Sequence, residues 1–118
     1  MKPVYLKENV GKFQAGTYVW LYRVKDHNKQ FVSKINDKPE PYGPIVLDHQ
    51  YEPPNCFIDA DLQPVKVGDT IVRLNTTDNK FNLEKRLVLA SSPEGLLLSP
   101  KHGGRPTSTA VHKQVIKI

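Results

Sequence analysis

The sequence contains a single cysteine, Cys56, so no disulfide can form within the chain. It contains no apolar run near the roughly 18 residues that are needed to span a bilayer. Its first residues, MKPVYLKENVGKF, are interrupted by charges and lack the apolar middle of a secretory leader. These absences predict a cytoplasmic protein in a reducing compartment that does not contact a membrane.

Signatures of catalysis and of metal binding are also scarce. The segment PPNCFIDA lacks the glycines and the helix start that activate a thiol, so we interpret Cys56 as a small core residue. No glycine-rich phosphate loop is present. His49 and Cys56 do not show the paired spacing of a zinc site, and we interpret Asp59 and Asp61 as a solvated acidic edge. We therefore expect a non-enzymatic protein with no catalytic residue, no metal and no cofactor.

Proline, in contrast, is abundant. The chain has ten prolines in 118 residues, about twice the usual share of roughly 5%. Each one removes a backbone donor and fixes φ, so long helices are hard to place. The length favours one domain, residues 1–118, because single domains usually have about 100–150 residues.

Short alternating segments predict β-strands throughout the chain. The clearest is TYVWLYRV, Thr17–Val24, which is made of β-branched and aromatic residues. Together with Phe31–Ile35 it predicts a hairpin, and the proline-rich residues 36–44 predict a long surface loop. The segment Phe81–Ala90 fits both the strand and the helix period, and we favour a strand. Further strands are predicted at Ile45, at Asn55, at Thr70–Asn75, at Gly95 and from Ala110 onward.

Strands of this length at regular intervals predict a small all-β barrel or sandwich with long proline-rich loops. The nine residues KVGDTIVRL, Lys66–Leu74, resemble the turn and first strand of small SH3-like barrels, including the KOW modules of ribosome- and polymerase-associated proteins. The glycine that such modules carry several positions later is absent from Asn75–Lys80. The resemblance implies a fold and not a partner, and within the all-β class we favour the SH3-like barrel.

Charge is distributed unevenly along the chain, whose net charge is +5. Residues 1–25 hold five Lys or Arg and one acid, and residues 95–118 hold four Lys or Arg and no acid. Residues 36–69 hold seven Asp or Glu and two Lys. If the first and last strands were neighbours, the two basic ends would merge into one patch that attracts polyanions.

The segment SPKHGGRPTSTAVHK, Ser99–Lys113, carries the most suggestive cluster of charge. The pair Gly103 and Gly104 would let backbone N–H groups approach an anion, while the prolines at both borders would stiffen the loop. The same residues also suit an ordinary hairpin connection. The predicted nucleic-acid-binding residues are Lys12, Arg23, Lys25, Lys101, His102, Arg105 and Lys113.

Three functions remain open from the sequence. The first is binding of DNA or RNA through phosphate contacts. The stripe of Tyr18, Trp20 and Tyr22 is interpreted as part of the core rather than as a platform on which bases stack. The second is a protein-binding adaptor or inhibitor, of the accessory type common in phages and mobile elements, that recognises an acidic partner surface. The third is a structural subunit in which the strand from Ala110 pairs with a neighbouring copy. The sequence does not define the oligomeric state.

Overall fold

The computed structural model describes residues 2–24, 29–34, 44–77, 80–100, 104–109 and 112–118. These residues form β-strands and two short 3-10 helices, and no α-helix occurs among them. The prediction of an all-β protein of the small barrel or sandwich type is confirmed. The chain divides into two compact units, Met1–Pro54 and Asn55–Ile118. One domain for residues 1–118 stays a prediction.

The first unit contains one four-stranded antiparallel sheet in the order β3-β2-β1-β4. Its strands are β1 (Lys2–Leu6), β2 (Tyr18–Val24), β3 (Lys29–Ser33) and β4 (Tyr51–Glu52). The predicted hairpin of β2 and β3 is confirmed, with Trp20 opposite Ser33 and Val24 opposite Lys29. The proline-rich loop lies almost entirely outside the described residues.

The strand predicted from Ile45 is wrong. Ile45 forms only an isolated bridge with Phe31, and a 3-10 helix, Asp48–Gln50, follows. The Gln50 side chain accepts a hydrogen bond from the Leu47 N–H, and the Gln50 N–H donates to the Leu47 carbonyl. This local closure satisfies groups that a strand would have offered to a ladder.

The core of the first unit lies on one face of its sheet. Val19 and Leu21 of β2 belong to it and are almost fully buried. The complete buried cluster is Val4, Leu6, Val10, Phe13, Val19, Leu21, Val32 and Val46, with Tyr51 packed against it. Alternation along β2 therefore places Tyr18, Trp20 and Tyr22 on the opposite face of the sheet.

The second unit has a five-stranded sheet in the order β10-β9-β8-β7-β11 and a small β5-β6 pair. The strands are β5 (Phe57–Ile58), β6 (Pro64–Val65), β7 (Thr70–Thr77), β8 (Lys80–Ser92), β9 (Gly95–Leu98), β10 (Thr107–Thr109) and β11 (Val115–Lys117). Four consecutive antiparallel strands are followed by a 3-10 helix, His112–Gln114, and by a last strand that returns to β7. This order agrees with a small β-barrel or sandwich, and the SH3-like barrel favoured from the segment around β7 stays a prediction.

The long strand β8 connects the two halves of this sheet. Its first part pairs with β7 from Lys80 to Leu87, and its last part pairs with β9. A register shift between Val88 and Ala90 separates the two pairings, and such a bulge bends a strand and increases its twist. The prediction that Phe81–Ala90 is a strand is confirmed.

The interpretation of Asp59 as part of a solvated edge is wrong. Asp59 is fully buried after β5, and its Oδ1 accepts hydrogen bonds from the N–H groups of Asp61 (2.9 Å) and Gln63 (2.8 Å). Its Oδ2 accepts from the N–H of Lys117 at 2.8 Å. The carboxylate thus organises a tight turn, in which Leu62 has a φ of 61°, and connects the turn to β11.

The closing segment differs from its prediction in two ways. Strand β11 contains only three residues, because His112–Gln114 forms the 3-10 helix, while Ala110 and Val111 lie outside the described residues. Strand β10 was not predicted, and it pairs with β9 so that Thr107 lies opposite Leu98. Residues 99–106 join these two paired strands, and Lys101, His102 and Gly103 among them lie outside the described residues. None of the helices in the described ranges is long and apolar enough to cross a membrane.

Candidate binding surfaces

The outer face of the β8-β7-β11 sheet exposes a block of apolar side chains. Leu83 is 75% exposed, Leu87 is 45% exposed and Ile116 is 46% exposed. The register places Leu83 beside Leu74, and Ile116 beside Val72, so these side chains are direct neighbours. We call this surface the outer apolar face, and its described members are Val72, Leu74, Leu83, Lys85, Leu87, Leu89, Ile116 and Ile118.

One charge lies within the outer apolar face. The exposed Lys85 pairs with Val72, which in turn pairs with Ile116, so Lys85 has a central position in the block. It is the one charged side chain among the described residues of this face. An apolar surface with a single central cation is complementary to apolar side chains that surround a carboxylate.

The inner face of the same strands carries charge next to the core. Arg73 lies opposite Glu84, and Arg86 lies opposite the core residue Ile71. Arg86 and Glu84 are only 8% and 7% exposed, and Arg73 is half-buried. Arg86 donates from Nη2 to Oε2 of Glu84 at 2.8 Å and from Nη1 to the carbonyl of Ser99 at 2.6 Å. The sequence placed Arg73 on a predicted strand and Arg86 in the segment that fits both the strand and the helix period, and alternation alone could not indicate which face would be inside.

Arg23, one of the predicted nucleic-acid-binding residues, lies in a polar network of the first unit. Its Nε and Nη2 donate to Oε1 of Gln30 at 3.3 Å and 3.1 Å. Gln30 donates to Asp48 at 2.6 Å, and the Tyr51 hydroxyl lies 3.3 Å from the same carboxylate oxygen. The hydrogen bonds from Gln30 and Tyr51, followed by the charges of Arg23 and His49, hold the pKa of Asp48 below its ordinary value. An acid therefore offsets part of the charge of Arg23.

Of the other predicted residues, the structure describes the side chains of Lys12 in the first unit and Arg105 in the second. The Lys12 ammonium lies over the Phe13 ring, 5.5 Å from its centroid. Arg105 is exposed in the connection between β9 and β10 of the second unit. Lys25, Lys101 and His102 lie outside the described residues, as does the side chain of Lys113. Their role in nucleic-acid binding stays a prediction.

The first and last strands do not pair with each other. Strand β1 lies between β2 and β4 in the sheet of the first unit, whereas β11 pairs with β7 in the second unit. The merged basic patch stays a prediction. The outer edge of β11 is partly covered, because the Val115 carbonyl accepts from the Ala60 N–H and the Lys117 N–H donates to Asp59. The idea that this edge pairs with another copy receives no support from that arrangement.

The aromatic stripe of β2 is mostly packed rather than open. Trp20 is only 1% exposed, as a core interpretation requires. Tyr18 and Tyr22 are half-buried, and Tyr22 stacks on Phe31 with ring centroids 5.5 Å apart. The main cluster of the unit nevertheless lies on the opposite face. An open groove of about 400 Å³ beside the stripe is lined by Lys2, Leu21, Tyr22 and Arg23.

The histidine and cysteine side chains of the second unit have structural contacts. His112 stacks on Phe57 at 4.4 Å between centroids, and its Nδ1 lies 2.5 Å from the Ile58 carbonyl, to which it donates. Cys56 is partly exposed, so its interpretation as a core residue is wrong. Within the described ranges, no three His, Cys, Asp or Glu side chains are arranged to hold a metal ion.

A shallow depression of about 520 Å³ lies over the bend of the sheet. It is lined mainly by small and hydroxyl-bearing residues at the end of β8 and on β9 and β10, together with Glu94.

Compared with known proteins, this chain matches no family model, no curated protein and no solved structure.

Proposed function

We propose that this chain is a non-enzymatic, cytoplasmic binding protein whose outer apolar face docks a protein partner. The observation that supports it is the exposure of Leu83, Leu87 and Ile116 on one sheet face, where Val72 and Leu74 of β7 lie between the strands that carry them. Scattered exposed apolar residues are normal, but a contiguous block on a rigid sheet marks an interaction surface. This is the adaptor function that the sequence left open.

The central lysine indicates the chemistry of the partner. Lys85 would be buried by any protein that covers Leu83 and Leu87, and a buried ammonium needs a charged partner to offset its desolvation. A partner that presents a carboxylate surrounded by apolar side chains meets that need. The sheet holds the three side chains at fixed spacing, so little entropy is lost when the surface is covered.

The test is a comparison of matched variants in affinity capture from nuclease-treated lysate. Leu83→Asp places a charge in the docking surface, whereas Val67→Asp places one at an equally exposed turn residue of the same unit, 66% exposed. We expect a specific protein to be retained by the unmodified chain and by Val67→Asp, and lost with Leu83→Asp. Equal retention by both variants would contradict the proposal.

Charge reversal tests the carboxylate. Lys85→Glu should weaken binding of the captured partner at least tenfold, and Lys66→Glu, at another exposed lysine of this unit, should leave it unchanged. Light scattering of the purified chain measures its oligomeric state. A dimer that dissociates on Leu83→Asp would show that a second copy, and not a different acidic protein, covers this face.

Contact with nucleic-acid phosphates is the second candidate function. It is supported by the net charge of +5, by the absence of acids from residues 95–118 and by the exposure of Arg105 in the β9-β10 connection. Replacing Lys101 and Arg105 by Ala should reduce the slope of log affinity against log salt by about two for generic DNA or RNA. Lys29→Ala is the control, and an unchanged slope for the double variant would exclude this connection.

A further inference from the structure

Among the side chains that the structure describes, the charged cluster on the inner face of the second unit has two positive groups and one negative group. Arg73 and Arg86 are diagonal neighbours on that face, because Arg73 pairs with Glu84 and Glu84 is two residues from Arg86 on β8. Two guanidinium groups therefore lie next to a single described carboxylate. The half-buried Arg73 thus adds a second positive charge beside the buried pair of Arg86 and Glu84, and an anion at this position would offset it.

The hydrogen bonds of the cluster are also incomplete. Arg86 uses Nη1 on the Ser99 carbonyl and Nη2 on Glu84, and its Nε is buried without a hydrogen-bond partner among the described residues. The Nε of Arg73 is likewise buried and has no such partner within the described part of the chain. Two buried donors of the same chemical type thus lie on neighbouring side chains. A buried donor without an acceptor carries the full cost of its desolvation.

We propose that Arg73 and Arg86 form a binding site for a phosphate group. A phosphate carries a charge of about −1.5 to −2 at neutral pH and several acceptor oxygens, so one group can receive both Nε–H donors and balance the second guanidinium. The planar donor fork of arginine matches phosphate geometry. Because Arg73 is half-buried and Arg86 is closed off, the ligand reaches the cluster past Arg73.

This site is separate from the docking surface. Glu84 and Arg86 point to the inner face of β8, and Leu83, Lys85 and Leu87 point to the outer face. The Ser99 carbonyl on Arg86 places the start of the β9-β10 connection next to the site. The phosphate group can therefore be free phosphate or part of a polynucleotide, and the experiment distinguishes these sources.

The test uses the complete chain and inorganic phosphate at constant ionic strength. In NMR spectra of arginine Nε–H groups, phosphate should shift the resonances of Arg73 and Arg86, and acetate at equal ionic strength should not. This measurement needs no variant, so it holds even if a substitution impairs folding. Absence of a phosphate-dependent shift, or an equal shift with acetate, would overturn the proposal.

Variants and a second ligand complete the test. Arg73→Gln should lower phosphate affinity at least tenfold, Arg73→Lys should restore part of it, and Arg23→Gln in the first unit should have no effect. Unchanged affinity in a folded Arg73→Gln chain would also overturn the proposal. A labelled oligonucleotide that competes with phosphate identifies a polynucleotide as the source, and phosphate binding without oligonucleotide binding identifies the free ion. Leu83→Asp should leave phosphate affinity unchanged, so failure of the docking proposal is distinguishable from failure of this one.

Discussion

Gly11 is a residue whose identity is determined by its backbone and by a close neighbour. Its φ is +56°, within the two-residue turn closed by the hydrogen bonds between Val10 and Phe13. A side chain at this position would place its Cβ 2.9 Å from Cβ of Pro44. A residue with a side chain would be strained both by the positive φ and by the close contact with Pro44.

We predict that Gly11→Ala lowers the free energy of unfolding by about 1–3 kcal/mol. Gly68→Ala should cost less, because Gly68 has a φ of +92° but no atom within 4 Å of the added Cβ. Gly104→Ala, with neither constraint, is the control. Urea denaturation of the three variants measures the order, and an equal loss in all three would contradict it.

Asp48 is a residue whose ionisation should report on the integrity of its network. Because its pKa is lowered in the folded chain by Gln30 first and then by Tyr51, the stabilisation is fully present above the unfolded value near pH 4. It is lost as pH falls through the lower folded value. We expect NMR titration of the Asp48 carboxyl to show a midpoint below that of an unfolded peptide. Gln30→Ala should raise this midpoint more than Tyr51→Phe does, and a midpoint at or above the peptide value would contradict the network.

Among the elements, the turn after β5 depends most strongly on one side chain. Asp59→Ala removes an acceptor shared by the N–H groups of Asp61, Gln63 and Lys117. Without the carboxylate, these N–H donors would have no acceptor in a buried position, so we predict a destabilisation of about 3 kcal/mol. Asp59→Asn should cost less, since Oδ1 can still accept in the turn.

The exposed Asp61 provides the matched control for this element. Asp61→Asn should change the denaturation midpoint little, because no hydrogen bond within the described ranges requires its carboxylate. Chemical denaturation followed by circular dichroism measures all three variants. A loss of stability for Asp61→Asn as large as that for Asp59→Ala would show that the negative charge of the segment, and not the hydrogen bonds of the turn, determines the stability.

Strands with strong local patterns were the elements that sequence could predict. β2 and β7 are rich in β-branched and aromatic residues, and both were predicted within a few residues of their ends. The strands at Ile45 and Ala110 failed where Gln50 or the packing of His112 on Phe57 favours a 3-10 turn. The Gln50 closure is local and competes directly with a strand, whereas the packing of His112 depends on a residue far along the chain, which no local pattern contains.

The candidate surfaces were harder to predict than the fold. The sequence pointed to charged segments near the ends, whereas the outer apolar face depends on which side of β8 is turned toward Ile71 and Val115. Alternation defines two faces and does not choose between them. Arg86 and Glu84 were not expected inside, because their burial depends on each other and on the Ser99 carbonyl.

At the scale of the whole molecule, the two compact units raise the question of whether the chain unfolds in one cooperative transition. The single-domain prediction requires one unfolding transition for the entire chain. Trp20 is the single tryptophan and is buried in the first unit, so its fluorescence reports on that unit. We expect fluorescence and far-ultraviolet circular dichroism to give coincident thermal transitions. Separate midpoints would indicate two domains that unfold independently.

The first half of β8 has an inverted polarity, with Glu84 and Arg86 inside and Leu83 and Leu87 outside. A slip of one residue along β7 would reverse this and produce an ordinary amphipathic strand, apolar inside and charged outside. A misregistered strand would be an alternative to the native one, and Val88 in the core together with the bulge favours the native register. Ligands on either face would bias that competition, so that occupancy of the surfaces would also select the pairing of the strand.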